Sequence, residues 1–212
     1  MKEKRIQVAD YLLQIKAIKL DPANPFTWAS GWKSPIYCDN RKTLSYPEIR
    51  SYLQAYFCDI IREKYPHAEG IAGVATGAIA IGALVADKLG LPFAYVRSKA
   101  KGHGLGNQVE GVVEPGQKMV VIEDLISTGG SSLDAVHALR EVHGEVLGLV
   151  AIFSYEFSVS RKGFDQAGCE LMTLSDYSTL ISRAQDQGLI TPEQTETLKR
   201  WRQDPATWNP TK

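Results

Sequence analysis

Apolar positions along the chain fall into two alternating rhythms: short unbroken runs, and stripes that return every three or four residues. Unbroken runs suit strands buried on both faces, and stripes suit helices with one apolar side. The clearest pair lies in the second half. Met119, Val120, Val121 and Ile122 predict a parallel strand, which Glu123 and Asp124 are expected to close. Leu133, Val136, Leu139 and Val142 repeat every three residues and predict the helix that follows.

The same rhythms order the rest of the chain. Ile6, Ala9, Leu12, Leu13 and Ile15 predict a first helix ending before Asp21-Pro22. Asn24–Arg41 is dense in Pro, Gly, Ser and Trp and reads as a loop or short hairpin. Its aromatics and cations suit a ligand pocket, and equally a small aromatic cluster. Ser45 and Glu48 are spaced as a capping box for the next helix, whose buried stripe is Ile49, Leu53, Tyr56, Phe57, Ile60 and Ile61. Strands are expected at Ile71–Val74, Phe93–Arg97, Leu147–Phe153 and Glu170–Leu174, with Ser154–Gly168 a polar excursion. A small-residue helix should run to about Leu89. Two helices close the chain. The second has Thr191 as cap, Pro192 at the first helical position and Gln194 completing a capping box, and Trp201 and Trp208 anchor its tail.

About five strands alternating with helices predict an α/β fold: a mostly parallel sheet with right-handed crossovers. Ligands of such sheets bind beyond the carboxyl ends of the strands. The loops at Ala75–Gly77, Lys99–Asn107 and Glu123–Ser131 should all leave strands at that edge.

Length and composition narrow the picture. A chain of 212 residues is expected to form one domain, with a hood over roughly 1–45, a core over roughly 46–175 and C-terminal helices over roughly 176–212. A formal net charge of zero predicts no nucleic-acid surface. Cys38, Cys58 and Cys169 are widely spaced with no C-x-x-C pair, which argues against a zinc knuckle or a disulfide framework. The start, Met-Lys-Glu-Lys-Arg, lacks the apolar run of a signal peptide, so a cytoplasmic location is expected. The uncharged stretch Gly70–Ala86 falls short of the ~20 residues a bilayer span needs, and glycines interrupt it.

The chemistry concentrates at E-D-L-I-S-T-G-G-S-S, residues 123–132. A strand end, a Gly/Ser/Thr turn and a helix start together make an anion site, because the first helical turn has unpaired N–H groups and the positive dipole end. The adjacent acids would repel a phosphate and instead suit hydroxyl donors or a magnesium-bound group. A phosphate a few ångströms from a vicinal diol satisfies both halves, and ribose 5-phosphate is such a ligand. The other reading is an ordinary βα turn with a solvated acid pair. Ala75-Thr76-Gly77 is a second small-residue turn, suited either to a diphosphate or to close helix–sheet packing. Arg97-Ser98-Lys99-Ala100-Lys101-Gly102-His103-Gly104 gathers cations among glycines; taken alone it reads as a solvated basic surface loop, and beside a phosphate site it is a candidate mobile lid carrying positive charge to a leaving diphosphate.

The stretch at 120–132 resembles the phosphoribosyl diphosphate motif of type I phosphoribosyltransferases. P-F-T-W-A-S-G, S-P-I-Y-C-D-N-R, R-S-K-A-K-G-H-G and E-D-L-I-S-T-G-G-S resemble its orotate branch along most of the chain. The resemblance implies the type I phosphoribosyltransferase fold. It also implies an enzyme of pyrimidine (UMP) biosynthesis that joins orotate and 5-phosphoribosyl 1-diphosphate, releasing orotidine 5′-monophosphate and diphosphate. Mg²⁺ would arrive on the diphosphate, with no direct protein ligand. By the same resemblance Lys101, His103 and Asp124 are catalytic. Arg97, Lys101, His103, Glu123, Asp124, Leu125, Ile126, Ser127, Thr128, Gly129, Gly130 and Ser131 bind the donor. Ser127 reaches orotate, with Tyr37 a further candidate. The family works as a homodimer whose Arg97 and His103 positions reach the partner's site.

Ala29, Gly77 and Ser98 stand where the family often has Lys, and an Arg used for the orotate carboxylate has no equivalent near Tyr155. Lys33, Arg41 or backbone N–H groups of the hood are the candidates to replace it. The alternatives are a purine-base phosphoribosyltransferase and a non-catalytic sensor of phosphoribosyl diphosphate.

Overall fold

The computed structural model describes residues 2–28, 30–98 and 108–209. Helix α1 (Lys2–Gln14) leads into four short strands: β1 (Ile18–Leu20), β2 (Phe26–Thr27), β3 (Lys33–Ser34) and β4 (Ile36–Cys38). β1 pairs antiparallel with β4, and β2 with β3, so the expected loop or hairpin is two small ribbons. A 3-10 turn (Asn40–Ser45) precedes helix α2 (Pro47–Lys64). Then come β5 (Gly70–Val74), α3 (Ile79–Leu89), β6 (Phe93–Val96), β7 (Val109–Glu110), β8 (Lys118–Ile126) and α4 (Gly130–Glu141). The chain continues through β9 (Glu145–Ser154), α5 (Ser158–Gln166), β10 (Leu171–Asp176), α6 (Tyr177–Asp186) and α7 (Pro192–Gln203).

Six strands form the main sheet in the order β10-β9-β8-β5-β6-β7. Its pairings are parallel except for β7, which runs antiparallel to β6. The unbroken apolar run of β8 is explained by layers on both sides. Val120 and Ile122 join the cluster with α1, α2 and α3, while Met119 and Val121 join the cluster with α4 and α5. Alternate residues of a strand face opposite ways, so a doubly covered strand has no polar face to spare. No helix among the described residues is long and apolar enough to cross a membrane.

Four sequence expectations need correction. Glu123 and Asp124 do not close β8, which runs on to Ile126 because β9 pairs with it that far. Ser45 does not cap α2. Proline fits the first helical position best, so α2 starts at Pro47, and Tyr46 takes the cap position without a side-chain bond. The polar excursion contains helix α5, which buries little beyond Ser160 and Phe164 and so shows no apolar stripe. The first helix stops at Gln14, well short of Asp21, and Ile18–Leu20 is a strand; three residues are too few for a periodicity signal. The capping box of Thr191 and Gln194 on α7 is present, with both reciprocal bonds made.

Candidate active site

A mismatch in strand length opens the site. β5 pairs with β8 only as far as Ile122, whereas β9 pairs with β8 to Ile126. The last residues of β8 therefore have a sheet neighbour on one side and a cavity of about 440 Å³ on the other. Glu123, Asp124 and Leu125 line it from β8, Val74, Ala75, Thr76 and Gly77 from the turn after β5, and Ser131 from α4. The hood closes it with Cys38, Asp39 and Arg41. The Ala75–Thr76 peptide is cis.

The two acids differ in setting. Glu123 is buried, with Oε1 accepting from the Asp124 N–H at 2.9 Å and Oε2 from the Ser132 hydroxyl at 2.8 Å. Burial, reinforced by the neighbouring Asp124 carboxylate, pushes the Glu123 carboxyl up to about 8, more than its two donors pull it down. Asp124 is half-buried, and its carboxyl group fills the space where a Cβ at position 77 would stand. Gly77 permits this close approach: a side chain there would have to displace the acid.

Gly129, at φ +87°, turns the chain from β8 into α4. L side chains rarely adopt that conformation, and a Cβ would also stand 3.1 Å from the Phe164 ring. No side chain caps α4, so the N–H groups of its first turn remain available to an anion, with Ser131 beside them at the cavity wall.

The hood is fastened to this edge by polar contacts. Asn40 is buried and donates through Nδ2 to the Asp124 carbonyl at 2.6 Å. Its Oδ1 accepts from the Cys38 thiol at 3.2 Å. Burial, with Asp124 and Asp39, pushes that thiol well up, which keeps it a donor. Arg41 donates through Nε to Asp39 at 2.7 Å, and this bond holds Asp39 below its usual carboxylate value. Above the site, Trp28 and Tyr155 pack on Trp201 of α7 at 5.6 and 5.8 Å, and Trp201 Nε1 donates to the Lys33 carbonyl at 3.1 Å.

Of the residues expected from sequence, Glu123, Asp124, Leu125 and Ser131 line the cavity together. Ser127, Thr128 and Gly129 form the turn into α4, whose first residues are Gly130 and Ser131. Ile126 is fully buried, and its carbonyl accepts from the Tyr155 N–H. Arg97 turns instead to Glu110, with Nη1 to Oε1 at 3.4 Å, and does not line the cavity. Tyr37 is 41% exposed, packs against Phe26 and is likewise not in the cavity wall. Lys101 and His103 lie outside the described residues, as does Ala29. Lys33 bonds the Thr27 hydroxyl on the hairpin, whereas Arg41 faces the cavity. Sequence reasoning missed Asn40. Its signal was faint: an amide just after an apolar strand, with nothing to say which backbone it would meet.

No group of three or more metal-ligating side chains occurs among the described residues. Asp39 is bonded to Arg41 and both Glu123 oxygens already accept hydrogen bonds, so the cavity wall suits Mg²⁺ carried in on a diphosphate rather than held by the side chains directly.

Residues 45–175 match the phosphoribosyl transferase domain model. An orotate phosphoribosyltransferase of Porphyromonas gingivalis is 57% identical over 201 residues, covering 95% of this chain and 96% of that protein. Among solved structures, orotate phosphoribosyltransferase from Aeropyrum pernix superposes with a TM-score of 0.75 at 24% identity, covering 87% of this chain and 99% of that one. Leishmania donovani UMP synthase superposes with a TM-score of 0.78 at 23% identity, covering 93% of this chain but 42% of that longer one.

Proposed function

This chain belongs to the orotate phosphoribosyltransferase family, and we propose that its sheet-edge cavity transfers the 5-phosphoribosyl group from 5-phosphoribosyl 1-diphosphate to orotate. The observation that carries this reading is the shared wall of Glu123, Asp124, Ser131 and the 74–77 turn. The open N-terminus of α4 receives the 5′-phosphate. The acid pair faces the ribose hydroxyls, and Asp124 opposes the positive charge that grows on the ring as the bond to diphosphate loosens. Because that charge exists mainly in the transition state, Asp124 acts on turnover more than on binding. Bound Mg²⁺ supplies charge neutralisation on the diphosphate. Ser127, by family resemblance, reaches the orotate. The cations assigned by the same resemblance to Lys101 and His103 enter through the sequence alone.

The test is a magnesium-dependent assay of orotate loss in the presence of the donor, with uracil, hypoxanthine and xanthine as competitors. Consumption of a purine in place of orotate would overturn the reading. A homodimer with shared sites and a cytoplasmic location complete it. Mixing inactive Lys101→Ala and Asp124→Ala chains should restore activity, since a mixed dimer holds one site with both groups intact. No recovery after verified subunit exchange refutes the shared site.

A further inference from the structure

The described wall of the cavity carries three acidic side chains, Asp39, Glu123 and Asp124, but a single cation, Arg41. The proposed donor brings several negative charges to this wall. We propose that Arg41 binds the diphosphate of the donor, so that the 3-10 turn of the hood, rather than the turn after β5, supplies this cation. The inference rests on the phosphoribosyl reading above and assigns one further residue to it.

Three observations support the assignment. The first is position. With the 5′-phosphate at the start of α4 and the diol against the acids, C1 of the ribose points away from α4. Apart from α4 and the end of β8, the wall is the 74–77 turn and the hood, where Arg41 lies. The second is exclusion. Position 77 is a glycine with the Asp124 carboxyl packed against it. The turn can offer backbone N–H groups and the Thr76 hydroxyl but no charge from position 77. The third is the state of the guanidinium. Its bond to Asp39 is made through Nε at 2.7 Å, which orients the plane and leaves the two Nη groups to face a ligand. The side chain is 60% exposed, so a diphosphate can reach it without rearranging the core. A planar fork suits two phosphate oxygens better than a point charge does. Lys33, the other candidate cation of the hood, bonds Thr27 outside the cavity wall.

The experiment compares the full-length protein with Arg41→Gln and Arg41→Lys. Calorimetry measures binding of inorganic diphosphate with Mg²⁺ and, separately, of ribose 5-phosphate, while steady-state kinetics give KM for donor and orotate. Arg41→Gln should weaken diphosphate binding and raise the donor KM by about 10- to 100-fold. Arg41→Lys should recover part of the loss. Ribose 5-phosphate affinity and the KM for orotate should stay within about twofold. Unchanged diphosphate affinity overturns the proposal. So does an equal loss of ribose 5-phosphate binding, which would mean a general collapse of the pocket. A rise confined to the orotate KM would assign Arg41 to the carboxylate instead and also overturn it. Should Arg41→Gln fail to fold, the Arg41→Lys comparison decides alone. If the unmodified protein consumes no orotate, the functional reading fails, and the two binding measurements still judge Arg41.

Discussion

The side-chain amide of Asn40 donates to the main-chain carbonyl of Asp124 at 2.6 Å, across 84 residues of sequence. It takes the place of a strand. β5 has already parted from β8 at Ile122, and Asn40 satisfies a carbonyl that would otherwise face the cavity edge. The hood is thereby tied to the backbone of the acid that faces the substrate.

Replacing Asn40 with Ala should cost about 1–3 kcal/mol of stability, because a buried carbonyl and the Cys38 thiol lose their partner together. The functional effect should be selective: kcat falls while KM for either substrate moves little, since Asp124 is misplaced rather than removed. Denaturant midpoints and steady-state kinetics measure the two effects. A stability loss with kcat intact would make Asn40 a purely structural tie.

The Asp124 carboxyl is probed directly and indirectly. Asp124→Asn should lower kcat by about 100-fold with little change in donor KM. Gly77→Ala introduces a Cβ where that carboxyl stands. The carboxyl lies at the end of a side chain that can swing aside, so stability should change by less than about 1 kcal/mol. Displacement of the acid should still reduce kcat by about 10- to 100-fold. An active Gly77→Ala enzyme would show that the position of Asp124 is not critical.

Glu123 sets a pH dependence of stability. Its folded-state value, pushed up to about 8, stands above its ordinary value of 4.5. The folded chain then holds the proton more tightly than the unfolded chain. Stability from this group is fully present below about 4.5 and is lost as pH rises through about 8. Urea midpoints of the ligand-free protein should therefore fall between about pH 5 and about pH 9 more steeply than those of Glu123→Gln, which cannot ionise. Parallel curves would place Glu123 at an ordinary carboxylate value.

Trp201 joins the C-terminal helix to the hood. It is fully buried, touches Trp28, Tyr155, Phe157 and Tyr177, and donates to the Lys33 carbonyl. Trp201→Ala should cost about 3–5 kcal/mol. Trp201→Phe keeps most of the ring packing but loses the bond to Lys33, and should cost about 1–2 kcal/mol. Both should raise the KM for orotate more than that for the donor, because Trp201 holds the hood at Lys33, while α4, β8 and the Asn40–Arg41 turn, tied separately to Asp124, stay in place. Thermal unfolding and kinetics on the two variants check the order.

The sequence alone determined the elements whose signals are local. The apolar run at Met119–Ile122 could only be a strand covered on both sides, and it is. The acids, hydroxyls and glycines of 123–132 lie next to one another in the chain, so their joint chemistry was legible without coordinates. The boxed start of α7 was legible for the same reason, since its partners are three residues apart. Tertiary structure decided what depends on distant partners. β8 continues past two acids because β9 pairs there, and no pattern within 118–126 reports that. α5 carries almost no apolar stripe and is placed by Phe164 packing between the sheet and α4. Arg97 pairs with Glu110 on a strand that sequence did not show. Asn40, Gly77 and Arg41 acquire their roles only when the hood, the turn after β5 and the end of β8 come within contact distance. A hydrogen bond or a steric exclusion between residues far apart in the chain has no periodicity, and so leaves no mark in the sequence of either partner.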